Sequence, residues 1–165
     1  MSKVEQIMAI RATPAQAMRA LVTTSRLSEW VAPDVTLTPR TRAATLSPGD
    51  QLRLEIPVGA AFDYVVEAAT DREVVFSFSG PWSGEERWSF IADGAETLVR
   101  RVYDVRETHG LVGLAWPTIG RAMVIAHYKL EMMRFRDMVE RNPGPAGEID
   151  SGIGEVHTTY DVDER

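Results

Sequence analysis

The chain has 165 residues, 44% of them apolar and 25% charged, the size and make-up of one globular domain with an adequate core. Its net charge of −6 is unevenly placed: residues 142–165 hold six acids against one arginine, so the body carries 18 acids and 17 bases, too even a balance for the basic footprint of a nucleic-acid binder. The absence of cysteine excludes a disulfide framework, a thiol nucleophile and a thiolate metal site; with no signal-peptide pattern and no apolar run of membrane-spanning length, the expectation is a cytoplasmic protein without membrane insertion.

Val4, Ile7, Met8 and Ile10 predict a first strand. A helix follows to about Val22, with Thr13 as N-cap and Pro14 at the first helical position, where a missing N–H costs nothing. A second short helix runs from about Ser25 to Trp30, stopped by Ala32-Pro33-Asp34. Strands are then expected over 35–37, 52–56, 62–69, 74–78, 86–91 and 97–105, joined by turn-forming links such as "SPGD", "SGPWSG" and "ADGA". Alternation is clear in three of them: Leu52, Leu54, Ile56 and Val58; Phe62, Tyr64, Val66 and Ala68; Val74, Phe76 and Phe78. Consecutive hairpins of this kind imply an antiparallel sheet with one buried face. The last element, about 117–141, is a long helix with two apolar stripes. Tyr128, Met132, Phe135 and Val139 form one; Ile119, Met123, Ala126, Leu130 and Met133 form a nearly opposite one. The sheet can cover one stripe, and the other needs the short helices, a ligand or a second subunit. Residues 142–165, rich in Gly, Pro and acids, read as a disordered tail beyond a 1–141 domain.

The hairpin 84–104 carries the most informative charges. Taking Asp93-Gly94 as a two-residue turn of type I′ pairs Phe90 with Thr97, Trp88 with Val99, Glu86 with Arg101 and Arg87 with Arg100. Phe90, Trp88, Glu86, Val99, Arg101 and Tyr103 then share one face, the more apolar and therefore inward one, while Arg87, Ser89, Leu98 and Arg100 share the other. An opposite-charge pair, Glu86 with Arg101, is thus expected inside the protein.

The order of strand, two short helices, six further strands and one long helix resembles the helix-grip fold of the START-like, or SRPBCC, superfamily. The stretch "ATPAQAMRALVTTSRLSEWVAPD" is similar to the opening of the subgroup related to the activator of the ninety-kilodalton heat-shock chaperone's ATPase, and "ERWSFIADGAETLVRRVYD" to its penultimate hairpin. Val31 stands where that subgroup usually has a second Trp. The resemblance implies an α+β fold in which a curved, seven-stranded antiparallel sheet wraps a long C-terminal helix. It also implies a cavity between them that in many relatives takes a lipid, sterol, polyketide or other apolar molecule.

On that reading the expected function is binding of a small apolar or amphipathic ligand. Glu86 and Arg101 would orient its polar group, although a buried pair that simply satisfies itself is the more common arrangement. Tyr64 and Tyr103 could present hydroxyls to the same cavity, Phe78 and Trp88 share its wall while also serving as core, and Trp82 and Trp116 sit on loops near its mouth. Met123 and His127 are placed by the helix beside the cavity. His109, His127 and His157 share no metal-ligand spacing, so neither metal nor cofactor is expected. Two alternatives stay open: a polyketide cyclase or dehydratase using Glu86, Arg101 or Tyr103 for proton transfer, and a chaperone cofactor that works through its surface, with a homodimer also open. The catalytic residues, if any, are not assignable from sequence, since no Gly-x-Ser-x-Gly elbow or phosphate loop is present.

Overall fold

Thr13 starts the first helix as its chemistry dictates: its hydroxyl accepts from Gln16 N (3.2 Å) and the Gln16 side chain accepts from Thr13 N (2.9 Å), a reciprocal capping box. In this computed structural model, which describes residues 2–57 and 59–145, that helix is α1, Pro14–Val22. It follows strand β1, Ser2–Ile10, and leads through a tight turn at Thr24–Arg26 into the one-turn helix α2, Leu27–Trp30. Arg26 reaches from that turn to the far end of the chain, donating to the carbonyls of Met138 and Asn142 (both 3.1 Å) and capping the last helix.

Strands β2 (Thr36–Pro39), β3 (Gln51–Glu55), β4 (Ala61–Ala69), β5 (Glu73–Ser79), β6 (Trp82–Asp93) and β7 (Glu96–Thr108) follow, then helix α3 (Gly110–Leu114) and helix α4 (Arg121–Arg141). All seven strands form one antiparallel sheet in the order β1-β7-β6-β5-β4-β3-β2. Helix α4 lies across its inner face, packed along β1 and against α2. This is the α+β helix-grip arrangement expected from the element order. Of the expected apolar run 52–58, β3 takes only Gln51–Glu55, and Val58 lies outside the described residues. The tail reading for 142–165 falls mostly outside them too; residues 144 and 145 run along α1, accepting from Gln16 (3.1 Å) and Arg19 (3.0 Å).

The hairpin register differs from the expected one by two residues. The turn is Gly94-Ala95, not Asp93-Gly94, so Asp93 faces Glu96, Phe90 faces Val99, Trp88 faces Arg101 and Glu86 faces Tyr103. Only Gly94 takes positive φ (61°), and glycine at the first loop position is the signature of a type II′ turn, whereas type I′ needs positive φ at both. A two-residue slip leaves every side chain on its expected face, because the strand period is two. The outward arginines are not opposed either. Arg87 pairs with Glu73 (2.6 Å) and Glu85 (3.0 Å), and Arg100 with Glu5 (2.8 Å).

Two further expectations are corrected here. Trp82 is the first residue of β6 rather than a loop residue, and Trp116 opens a π-helical turn, Trp116–Gly120, that leads into α4; each is only 3% exposed. Gly84 lies just after a bulge at Ser83, where β6 and β7 press so close that a Cβ on Gly84 would collide with the Asp104 carbonyl. Of the two stripes on the last helix, Tyr128, Met132, Phe135 and Val139 are buried as expected, joined by Val124, Glu131 and Met138. Of the opposite stripe, Met123 packs against the core, while Ile119 is 71% exposed, Leu130 42% and Met133 41%.

Candidate functional site

The inner face of the β6–β7 hairpin delivers Glu86, Trp88, Arg101 and Tyr103 to the middle of the grip, and α4 lowers Tyr128 and Glu131 onto them. Arg101 Nε donates to Glu86 Oε1 (2.8 Å) and its Nη1 to Glu131 Oε2 (2.7 Å), so one guanidinium bridges two carboxylates, one on the sheet and one on the helix. Glu86 also accepts from Trp88 Nε1 (2.7 Å), Tyr128 Oη (2.7 Å) and Tyr64 Oη (3.3 Å), which fills the capacity of a carboxylate. The other oxygen of Glu131 accepts the backbone N–H of Ala32 (3.2 Å), tying α4 to the segment after α2. All three charged residues are buried. Burial opposes the charge on Arg101, and the attraction of Glu86, Tyr128 and Glu131 outweighs it, holding the guanidinium pKa above its ordinary value.

The same guanidinium is sandwiched by rings: its central carbon lies 3.3 Å from the centroid of Tyr128, 4.5 Å from Trp88 and 5.7 Å from Trp30. Burial raises the pKa values of Tyr64, Tyr103 and Tyr128, so the three phenols act as neutral donors or acceptors. Tyr103 Oη accepts from Trp82 Nε1 (2.9 Å), and its ring stacks flat on Phe78 with centroids 4.3 Å apart.

Two small voids adjoin this network, of about 40 and 30 Å³. Both touch Arg101, Glu131, Tyr64 and Leu54. The first runs out between α4 and the β2–β3 side of the sheet, past Met123 and His127. Each has room for a water or two, far below the several hundred cubic ångströms of a lipid or drug-sized pocket. His127 stands at this opening with Nδ1 3.0 Å from the Met123 carbonyl and Nε2 3.1 Å from Asp34 Oδ2. The hydrogen bond from His127 holds the Asp34 carboxyl below its usual range.

Of the residues singled out from sequence, Glu86, Arg101, Tyr64, Tyr103, Trp82, Met123 and His127 line one void or the other. Trp88, Phe78 and Trp116 do not: Trp88 lies beneath the guanidinium, Phe78 behind Tyr103, and Trp116 packs on Trp82 with centroids 5.0 Å apart. Glu131 and Trp30 were missed as site residues. Glu131 sits three residues after Tyr128 and four before Phe135, on the inward stripe, and that spacing was the signal for it.

No family model matches the chain, and no curated protein matches it. Solved structures do. The solution structure of the Aha1 dimer from Colwellia psychrerythraea superposes with a TM-score of 0.63 at 19% identity, over 85% of this chain and 97% of that one. A protein of Thermus thermophilus gives 0.65 at 15%, over 84% and 97%. DynU16, from the dynemicin biosynthetic locus, gives 0.61 at 16%, over 85% of this chain and 48% of its own. The chain has the helix-grip fold. Identities this low establish the helix-grip architecture and leave ligand and activity to be argued from this chain's own residues.

Proposed function

We propose that this helix-grip protein binds a compact molecule with a neutral oxygen acceptor and an apolar body, held in the gap between α4 and the β2–β3 side of the sheet. One observation carries the reading: beside one void, a buried indole N–H lacks an acceptor and a guanidinium nitrogen makes no hydrogen bond. The hydrogen bonds of Arg101 use Nε and Nη1 and leave Nη2 free, and Trp30 Nε1 is buried without an acceptor. Both residues line the smaller void. An unsatisfied buried donor is costly, and an oxygen accepting from Trp30 Nε1 would recover that cost, with Arg101 Nη2 as a further donor lining the same void. A neutral carbonyl or hydroxyl suits the place better than a carboxylate, because Glu86 and Glu131 already set two negative charges against one positive. The apolar body would lie outward against Leu54, Val35 and Met123, in the part of the gap that opens to solvent. The small volume favours a compact ligand over a long-chain lipid.

The test pairs a fluorescent naphthyl ketone with the matching naphthoate, titrated against purified protein, with mass spectrometry of any molecule that co-purifies. The ketone is expected to bind and the carboxylate to bind roughly tenfold or more weakly. Leu54→Trp fills the gap without touching the ion network and should abolish ketone binding while the circular dichroism spectrum is retained. Equal binding of ketone and carboxylate, or ketone binding unchanged by Leu54→Trp, overturns the reading.

A further inference from the structure

The surface formed by α3 and the outer side of α4 has a composition unlike the rest of the molecule. Leu111 is 87% exposed, Val112 55%, Leu114 71% and Ile119 71%, and the run 110–120 contains no charged residue. The outer stripe of α4 continues it with Leu130 and Met133. Between Gly110 and Arg136 the ionised side chains are Arg121, Lys129, Arg134, Arg136 and Glu131, and the one acid among them is buried against Arg101. Every solvent-facing charge on this stretch is therefore basic, in a chain whose acids outnumber its bases by 24 to 18.

We infer that this face docks on an anionic lipid surface, with Leu111, Val112, Leu114 and Ile119 entering the headgroup boundary and Arg121 and Lys129 meeting lipid phosphates. Apolar side chains that protrude beside basic ones are the pattern of interfacial binding, in which the element lies in the membrane surface and does not cross it. A second copy of the chain is a poorer occupant. A two-fold interface sets the patch against a copy of itself, and the stretch offers no exposed acid to receive Arg121 and Lys129. Exposure as high as 87% also describes residues that project, where a protein partner would need a shaped recess for each. The inference is independent of what the interior holds.

The test is co-sedimentation of the full chain with vesicles of phosphatidylcholine alone and of phosphatidylcholine mixed with phosphatidylserine, alongside light scattering for the solution mass. The protein is expected to sediment with the mixed vesicles, to be released by high salt and to leave pure phosphatidylcholine largely unbound. The double variant Leu111→Ser, Leu114→Ser should lose roughly tenfold or more in binding while keeping its thermal midpoint, since two large apolar contacts go. Arg121→Glu with Lys129→Glu, which leaves the apolar residues in place, should lose binding to the mixed vesicles as well. Equal sedimentation with both vesicle types, no sedimentation with either, or a solution dimer that the double serine variant converts to monomer each overturns the inference.

Discussion

Arg101 stands at the centre of the molecule with a carboxylate on either side and three aromatic rings around it. Such a group is stable only while its partners remain, because removing one strands the charge in a medium that cannot solvate it. Glu86→Ala removes the carboxylate that also satisfies Trp88, Tyr64 and Tyr128, so it is expected to lower unfolding free energy by about 3–5 kcal/mol. Urea denaturation measures this, and a loss as small as that of an exposed ion pair would show that the network is not a structural one. Strand alternation alone placed Glu86 and Arg101 indoors, and it did so even with the wrong cross-strand partners. Glu131 escaped notice for a physical reason: acids are normally solvated on helices, and its burial depends on an arginine that comes from another element.

At the scale of elements, local chemistry was a sound guide wherever it had few alternatives. The Thr13 cap, Pro14 at the helix start and the alternating strands all behave as their residue types require. The turn between β6 and β7 was misplaced by one residue because Asp-Gly is a strong type I′ signal, whereas the chain keeps Asp93 at negative φ and uses Gly94 as the first residue of a II′ loop. Helix α3 gave no signal, since five residues with two glycines have neither period nor propensity. The bulge at Ser83 was equally invisible, being set by how closely β7 approaches. It makes a testable demand on Gly84. Gly84→Ala would drive a methyl group into the Asp104 carbonyl of the neighbouring strand, and backbone gives way less readily than side chain. The expected loss is about 1–3 kcal/mol, read as a lower denaturation midpoint. Gly94→Ala should cost about 1 kcal/mol, through its positive φ alone.

For the whole molecule, the three buried tyrosines couple stability to alkaline pH. In the unfolded chain each phenol ionises near pH ~10, whereas burial holds the native pKa values of Tyr64, Tyr103 and Tyr128 higher. Below that pH both states keep the protons and the contribution is complete. Above it the unfolded state releases protons that the native state retains, so stability falls as pH rises, by at most about 1.4 kcal/mol per pH unit for each tyrosine. Thermal midpoints measured from about pH 9 upward should therefore drop more steeply with each unit, and phenolate absorbance from these residues should appear together with unfolding. A midpoint unchanged well past the ordinary tyrosine pKa would contradict the burial of these phenols.

The sheet order also governs when the protein can be completed as it is made. β1 pairs with β7, and nothing else in the sheet borders it, so the strand of this sheet that is made earliest must wait for the one made last. At a translation rate of about 5–20 residues per second, the interval between Ile10 and Thr108 lasts roughly 5–20 s. Over that time Val4, Met8 and Ile10 have no strand to lie beside, while β2 to β6 can already zip into hairpins. Closing the sheet and then laying α4 across it become late events. The nascent chain passes through a stage in which a five-stranded meander exists without its grip, and that stage is where aggregation or help from a chaperone would act.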